Sequence, residues 1–319
     1  MGQSHTAAEV LVQSLKKRGV DHAFCVPGES YLAVLDALYD EAESIKLITC
    51  RHESGASNMA EAYGKLTAKP GICFVTRGPG ATNASIGIHT AYQDSTPLIL
   101  FIGQVASDQV EREAFQEIDY RRMFGQMAKW VAQIDDPDRV DEYVNRAFPT
   151  ATSGRPGPVV LALPEDMLTQ MTSMPAMKPH KPVQPHAHEQ DVYDVVGKLK
   201  AAKRPFVILG GSGWTKEGLA NIKLFLIRNK IPAGCAFRFQ DTLDNDDACY
   251  VGDVGIGINP ALAKRIKDSD CLLVIGPRLG EMTTSGYTLL EPPVIDQTLI
   301  HVHAGAEELG RVYQADLLI

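Results

Sequence analysis

Short apolar runs alternate along this chain with stretches whose apolar positions recur at helical spacing. Thr6 and Glu9 carry a capping-box signature, opening a helix that packs Val10, Leu11 and Leu15 and ends at Gly19. A strand over Asp21–Val26, closed by Pro27-Gly28, leads into a helix over Ser30–Glu41 with Leu32, Leu35, Leu38 and Tyr39 at helical spacing. Strands 45–50, 71–76 and 98–103 then alternate with helices 53–67 and 81–92. A helix over Pro137–Thr152 and a strand over Pro158–Leu163 complete this unit. Alternation of this kind predicts an α/β fold, a doubly wound parallel sheet with helices on both faces.

The periodicity stops at Met171. From there to His188 the chain carries four prolines and no apolar face, which reads as an extended linker. Its His180, His186 and His188 are read as solvated linker residues, since nothing in the stretch fixes a ligand geometry. A second βα series follows, with strands Pro205–Leu209, 232–236, 271–275 and 298–303 and helices 216–230 and 260–269. The expected organisation is a first domain over 1–170, a Pro-rich linker over 171–189 and a smaller, Rossmann-like parallel-sheet domain over 190–319. No period of about 20–50 residues repeats, which excludes a solenoid.

Composition narrows the function classes. The net charge of −8 over 319 residues gives no basic footprint, so no nucleic-acid partner is expected. The longest apolar runs, such as Leu98-Ile99-Leu100-Phe101-Ile102, are too short to span a bilayer, and no membrane association is expected. The start, Met1-Gly2-Gln3-Ser4-His5-Thr6, lacks the basic and apolar regions of a signal peptide. Six cysteines without a CxxC pair fit reduced, packed thiols in a cytoplasmic protein.

Candidate chemistry gathers where strands meet helices. Glu53 follows the apolar run Ile45-Lys46-Leu47-Ile48 and opens a helix rich in small residues. A carboxylate there lies at the carboxyl end of a parallel strand, where open α/β folds bind ligands. The apolar strand disfavours its charge and the helix N-terminus favours it. One βα unit later comes Gly78-Pro79-Gly80-Ala81-Thr82-Asn83, whose glycines allow close backbone approach and whose helix start offers free N–H groups. Ala114-Phe115-Gln116-Glu117 follows Ile102-Gly103-Gln104 in the third such unit.

In these motifs the chain resembles the pyrimidine-binding domain of thiamine diphosphate enzymes of the acetolactate synthase type. The resemblance runs from about residue 5 to the end, and includes Ser153-Gly154-Arg155-Pro156-Gly157-Pro158 and Leu163-Pro164. It implies an enzyme acting on 2-keto acids as a carboligase, lyase or decarboxylase. By the same resemblance Glu53 is the catalytic carboxylate that activates the cofactor, and Val26, Pro27, Pro79, Asn83 and Gln116 contact the cofactor. Gly28, Phe115 and Gln116 shape the substrate site. The relatives' central domain holds FAD in some members, ADP in others and nothing in many. Arg155 and Arg278 match flavin-contacting positions, so FAD is a candidate second cofactor. A homo-oligomer, dimer or tetramer, is implied because related sites form between subunits.

Three departures qualify the resemblance. Where acetolactate synthases read Gly-x-Arg-Phe-Asp-Asp-Arg, this chain reads Gly276-Pro277-Arg278-Leu279-Gly280-Glu281-Met282. Met282 cannot make the bidentate contact that an arginine offers a carboxylate. Glu165 stands where the family has a lysine after Leu-Pro. The relatives' diphosphate is held through Mg²⁺ by a Gly-Asp-Gly stretch and a later Asn; Gly252-Asp253-Val254 is the nearest match here and lacks the second glycine. The metal ligands and the C-terminal diphosphate-binding domain are therefore expected outside this chain, on a further domain or a separate subunit, leaving the chain alone inactive. A rival reading is a non-catalytic FAD- or ADP-binding or regulatory protein on the same fold. A nicotinamide dehydrogenase fits less well, because Gly210-Gly211-Ser212-Gly213 lacks the full dinucleotide spacing.

Overall fold

The computed structural model describes residues 4–179 and 185–319, and the chain divides into two compact units, Met1–Val183 and Gln184–Ile319. Unit 1 runs β1 (His5–Thr6), α1 (Ala7–Lys17), β2 (His22–Cys25), α2 (Leu32–Asp40), β3 (Lys46–Thr49), α3 (Glu53–Thr67), β4 (Gly71–Val75) and α4 (Pro79–Asp94). It continues through β5 (Leu98–Gln104), α5 (Tyr120–Phe124), β6 (Trp130–Gln133), α6 (Val140–Thr152), β7 (Pro158–Pro164), α7 (Glu165–Thr169) and β8 (Met171–Thr172).

Six strands form one sheet in the order β3-β2-β4-β5-β7-β6, with every pairing parallel. Successive residues of a strand point to opposite faces, and the two cores follow from that. Ile72 and Phe74 of β4 join the core shared with α1, α2 and α6, whereas Cys73 and Val75 join the core shared with α3, α4 and α5. Helices therefore cover both faces, as a buried parallel sheet requires.

The α1 start is the predicted capping box. Thr6 Oγ1 accepts the Glu9 N–H at 3.2 Å, and the Glu9 carboxylate accepts the Thr6 N–H at 2.8 Å. The apolar face expected on α2 needs correction: Leu32 and Tyr39 are 61 % and 81 % exposed. Val34, Ala37 and Leu38, spaced i, i+3, i+4, form the buried stripe instead. Leu32 and Tyr39 lie seven residues apart, on a stripe that none of the described residues of unit 1 covers.

The Pro-rich stretch begins within unit 1. Met171–Thr172 pair antiparallel with His5–Thr6, and Lys17 Nζ donates to the Ala176 carbonyl at 2.5 Å. Of its histidines, His180 lies outside the described residues. His188 caps a helix, its Nδ1 accepting the Gln190 N–H at 3.2 Å.

Unit 2 contains α8 (Glu189–Ala201), β9 (Pro205–Leu209), α9 (Lys216–Asn229), β10 (Ala233–Ala236), β11 (Tyr250–Val254), α10 (Pro260–Lys267), β12 (Cys271–Ile275), β13 (Thr298–Val302) and β14 (Leu317–Leu318). Its parallel sheet has the order β11-β10-β9-β12-β13-β14. Strand residues again alternate between two cores, Phe206 and Ile208 with α10 on one face, Val207 and Leu209 with α9 on the other. Among the described residues no helix is long and apolar enough to cross a membrane. All six cysteines are free, and all but Cys50 are buried.

One buried titratable group in unit 2 yields a pH prediction. His301, 4 % exposed on β13, donates from Nε2 to the Pro277 carbonyl at 3.1 Å. Burial pushes its basicity below the ordinary imidazole value, and the bond to Pro277 only partly opposes that. The folded state therefore holds His301 neutral while the unfolded chain protonates it near pH 6.5. Its stabilising contribution is complete above that pH and shrinks as pH falls toward the lower folded-state value. Melting curves between pH 7.5 and 5 are expected to show a slope of up to about 1.4 kcal/mol per pH unit, reduced in His301→Gln. Equal slopes in both proteins would rule this out.

Candidate active site

The strand order of unit 1 reverses between β2 and β4: the chain leaves β2 for β3 on one side and returns to β4 on the other. Loops leaving neighbouring strands part at such a point and open a crevice at the carboxyl ends of the strands. Val26, Pro27 and Gly28 follow β2, Glu53 opens α3 directly after β3, and Pro79 and Asn83 lie in the first turns of α4 after β4. The sequence-predicted residues around the crevice thus come from three successive βα junctions.

Glu53 is the first residue of α3, behind His52, whose Nδ1 caps the helix by accepting the Ser54 N–H at 3.2 Å. Its half-buried carboxylate accepts a hydrogen bond from Asn83 Nδ2 on α4, Oε2 to Nδ2 3.0 Å. A helix start favours a negative charge at this position. Two glycines pack tightly on Thr76, and Gly80 does so within van der Waals distance of the carboxylate. A Cβ at Gly80 would lie 3.5 Å from Glu53 Oε1 and 2.9 Å from Thr76 Cγ2, and one at Gly28 would lie 2.5 Å from Thr76 Cβ. The charge of Glu53 also reaches the buried groups below. Burial drives the phenol of Tyr31 and the thiol of Cys73 far above their ordinary ranges, and Glu53 adds to both shifts.

Small side chains bring α3 and α4 close enough for the Glu53–Asn83 contact. A Cβ at Gly87 of α4 would sit 2.4 Å from Ser57 Oγ and 2.7 Å from the Ser57 carbonyl carbon on α3. Gly71 at the start of β4 leaves even less room: a Cβ there would lie 1.9 Å from the Ala60 carbonyl oxygen on α3.

On the β5 side, Phe115 and Gln116 lie in the loop between β5 and α5, with Phe115 77 % exposed. Gly78, at φ +56°, packs against the Gln116 backbone, where a Cβ would meet Gln116 O at 2.7 Å. Its N–H donates to the Tyr120 hydroxyl at 2.9 Å. Burial raises the Tyr120 phenol to about 12, so it meets that N–H as a neutral acceptor.

Not every predicted residue joins this group. Arg155 is buried at the amino ends of β5 and β7, where its Nε donates to Ser95 Oγ at 3.0 Å and its guanidinium lies over the Tyr92 ring. Arg278 belongs to unit 2 and pairs with Glu308 at 3.2 Å. Met282 is 38 % exposed there. Gly252-Asp253-Val254 forms part of β11, with Asp253 Oδ1 accepting from Gln240 Nε2 at 2.8 Å. The glycines after β9 serve a loop crossing: a Cβ on Gly211 would strike Gly276 O, and one on Gly276 would strike Gly210 O, each at 2.2 Å. Among the described residues no cluster of three or more His, Cys, Asp or Glu is arranged to hold a metal ion.

Sequence reading passed over Arg77. Ser30 Oγ lies 2.8 Å from Thr76 Oγ1 and bridges the loops after β2 and β4. Arg77 bonds to both Phe115 and Glu165. Its place between Thr76 and the Gly-Pro-Gly turn was the available signal.

Comparison with known proteins identifies the family of both units. Residues 5–123 match the thiamine pyrophosphate enzyme N-terminal TPP binding domain, and residues 192–319 match the central domain of the same enzymes. The acetolactate synthase large subunit of Lactococcus lactis subsp. lactis is 31% identical over 98% of this chain and 55% of that protein. The acetolactate synthase isozyme 2 large subunit of Escherichia coli is 29% identical over 98% of this chain and 56% of that protein. For the acetolactate synthase of Bacillus subtilis the identity is 29%, over 97% of this chain and 54% of that protein. The chain spans about half the length of these curated relatives. Matched in its two units by successive domains of one group of proteins, the chain belongs to the thiamine pyrophosphate enzyme family.

Proposed function

We propose that this chain forms part of a thiamine diphosphate-dependent enzyme of the acetolactate synthase type, a carboligase, lyase or decarboxylase acting on a 2-keto acid. The observation that carries the reading is the Glu53 carboxylate, set at the switch point of a parallel sheet, held by Asn83 at 3.0 Å and closely approached by the α4 start at Gly80. That arrangement fits an aminopyrimidine: a carboxyl group to bond a ring nitrogen, beside a glycine whose missing side chain lets the start of α4 pack against Thr76. Thiamine diphosphate, when bound, supplies the nucleophilic thiazolium carbon that 2-keto acid chemistry needs.

The roles of the chain's own residues follow from that fit. Glu53 would hold a proton at the ring nitrogen and so favour the tautomer that activates the cofactor. Asn83 would fix the orientation of that carboxylate. Val26, Pro27 and Pro79 would line the pyrimidine's faces with backbone and apolar surface, while Gly28, Phe115 and Gln116 would wall the substrate side. Mg²⁺ and the diphosphate would be held by residues outside the described part of this chain, and the working protein would be a homo-oligomer, dimer or tetramer. FAD, if present, would belong to unit 2 near Arg278. Met282 and Glu165 replace the cations of acetolactate synthases, so the acceptor, or the 2-keto or acyl donor, is proposed to differ from theirs.

Two measurements test this. Release of CO₂ or a carboligated product from 2-keto acids should require added thiamine diphosphate and Mg²⁺; a flavin spectrum with no thiamine dependence of any reaction would overturn the proposal. Asn83→Ala should lower turnover about tenfold, the size expected for a hydrogen bond to a charged group. Unchanged steady-state kinetics in that variant would remove Asn83 from the site.

A further inference from the structure

The loop between β5 and α5 is held in a conformation that its own sequence does not favour. Glu111, Glu113 and Gln116 all adopt left-handed backbone angles, φ 62°, 52° and 68°, and such angles cost any residue but glycine free energy. A strained segment persists only where its surroundings over-determine it. Here the holding contacts are specific. Glu117 folds back within the loop, its carboxylate accepting the Glu111 N–H at 2.7 Å and the Ala114 N–H at 3.2 Å. Asp166 on α7 takes the Ser107 N–H at 2.9 Å and so ties down the loop's first part.

Arg77 supplies a further tie. It leaves the carboxyl end of β4, and its Nε donates to the Phe115 carbonyl at 3.1 Å while its Nη1 donates to Glu165 Oε2 at 2.8 Å. The Arg77 side chain is only 16 % exposed and that of Glu165 36 %. A planar guanidinium holds two such bonds in fixed relative directions, which an ammonium cannot do. Arg77 also directly precedes Gly78, which packs on Gln116 and donates to Tyr120. One arginine therefore joins the Gly-Pro-Gly turn, the Phe115–Gln116 segment and α7.

We infer that Arg77 is a positioning residue that latches the Phe115–Gln116 wall against the Gly78–Gly80 turn, with Glu165 as its anchor. Glu165, which departs from the family's lysine, neutralises and orients Arg77 at the rim of the crevice. That Phe115 and Gln116 wall a 2-keto acid site rests on the function proposed above; the latch itself does not.

Amide hydrogen exchange of the full chain tests it, because that signal is readable whether or not the protein turns over any substrate. Arg77→Met and Glu165→Ala are each expected to speed exchange at Glu111 and Ala114 about tenfold, the loss expected for a charged hydrogen bond. Amides of β4 and β5 should keep wild-type protection, which shows that the sheet is intact. The double variant should exchange no faster than either single one, since both residues act through one latch. Arg77→Lys, which keeps the charge but not the two directed bonds, should fall between wild type and Arg77→Met. In the cofactor-loaded enzyme, Arg77→Met should raise KM for the 2-keto acid more than it lowers kcat. Wild-type exchange in Arg77→Met and Arg77→Lys, or single effects that multiply in the double variant, would overturn the inference. Released loop amides with an unchanged KM would leave the latch standing and count against Phe115 as a substrate wall.

Discussion

Replacing Glu53 with glutamine is expected to lower turnover of the complete enzyme by a factor on the order of 10²–10⁴, the range for a lost acid–base group. Glutamine keeps the length of the side chain, and its carbonyl can still accept the bond that Asn83 Nδ2 makes at 3.0 Å. What it loses is the ability to share a proton with a ring nitrogen. Helix α3 should survive the change, because its start is capped by His52 rather than by Glu53. The variant should therefore melt close to wild type and stay slow at saturating thiamine diphosphate and Mg²⁺. Kinetics within about threefold of wild type would remove Glu53 from the chemistry, since that gap is worth less than one ordinary hydrogen bond.

Gly87→Ala is expected to cost stability and geometry together. The added methyl would sit 2.4 Å from Ser57 Oγ and 2.7 Å from the Ser57 carbonyl carbon, and Ser57 is fully buried. The hydroxyl can rotate away but the backbone cannot, so α3 and α4 must separate. Overpacking of this kind costs about 1–3 kcal/mol. Because Glu53 and Asn83 stand on those two helices, the same displacement lengthens their hydrogen bond. Urea titration should register the loss of stability. Turnover of the folded fraction should fall alongside it. A variant as stable as wild type would mean that the two helices pack with more slack than these distances imply.

The parallel-sheet alternation was legible because buried strands flanked by helices write their burial as short apolar runs, as in Ile72–Val75 and Leu98–Ile102. Glu53 stood out through the family resemblance of the segment around it, since a first-turn carboxylate by itself is an ordinary feature of helix starts. Less visible were β6 and β11, whose residues are mostly half-buried and carry polar side chains, as in Gln133 and Asp253. The α2 face was misjudged because large apolar side chains were counted and the smaller Val34 and Ala37 were not. Gly210–Gly213 carried the look of a ligand loop, yet Gly211 serves the crossing against Gly276. Arg77 stayed hidden for a different reason. Its partners, Phe115 and Glu165, lie 38 and 88 residues away, and only the fold brings them to one rim.

The most direct test of the Glu53 crevice as a pyrimidine site is calorimetric titration of this chain with thiamine diphosphate, with and without Mg²⁺, in wild type and Glu53→Ala. The expected result is weak binding that ignores Mg²⁺ and disappears in Glu53→Ala, since the described residues offer a carboxylate for the pyrimidine and no acidic or thiol cluster for a metal. Binding that is tight, requires Mg²⁺ and persists in Glu53→Ala would contradict it and locate the cofactor elsewhere in the chain.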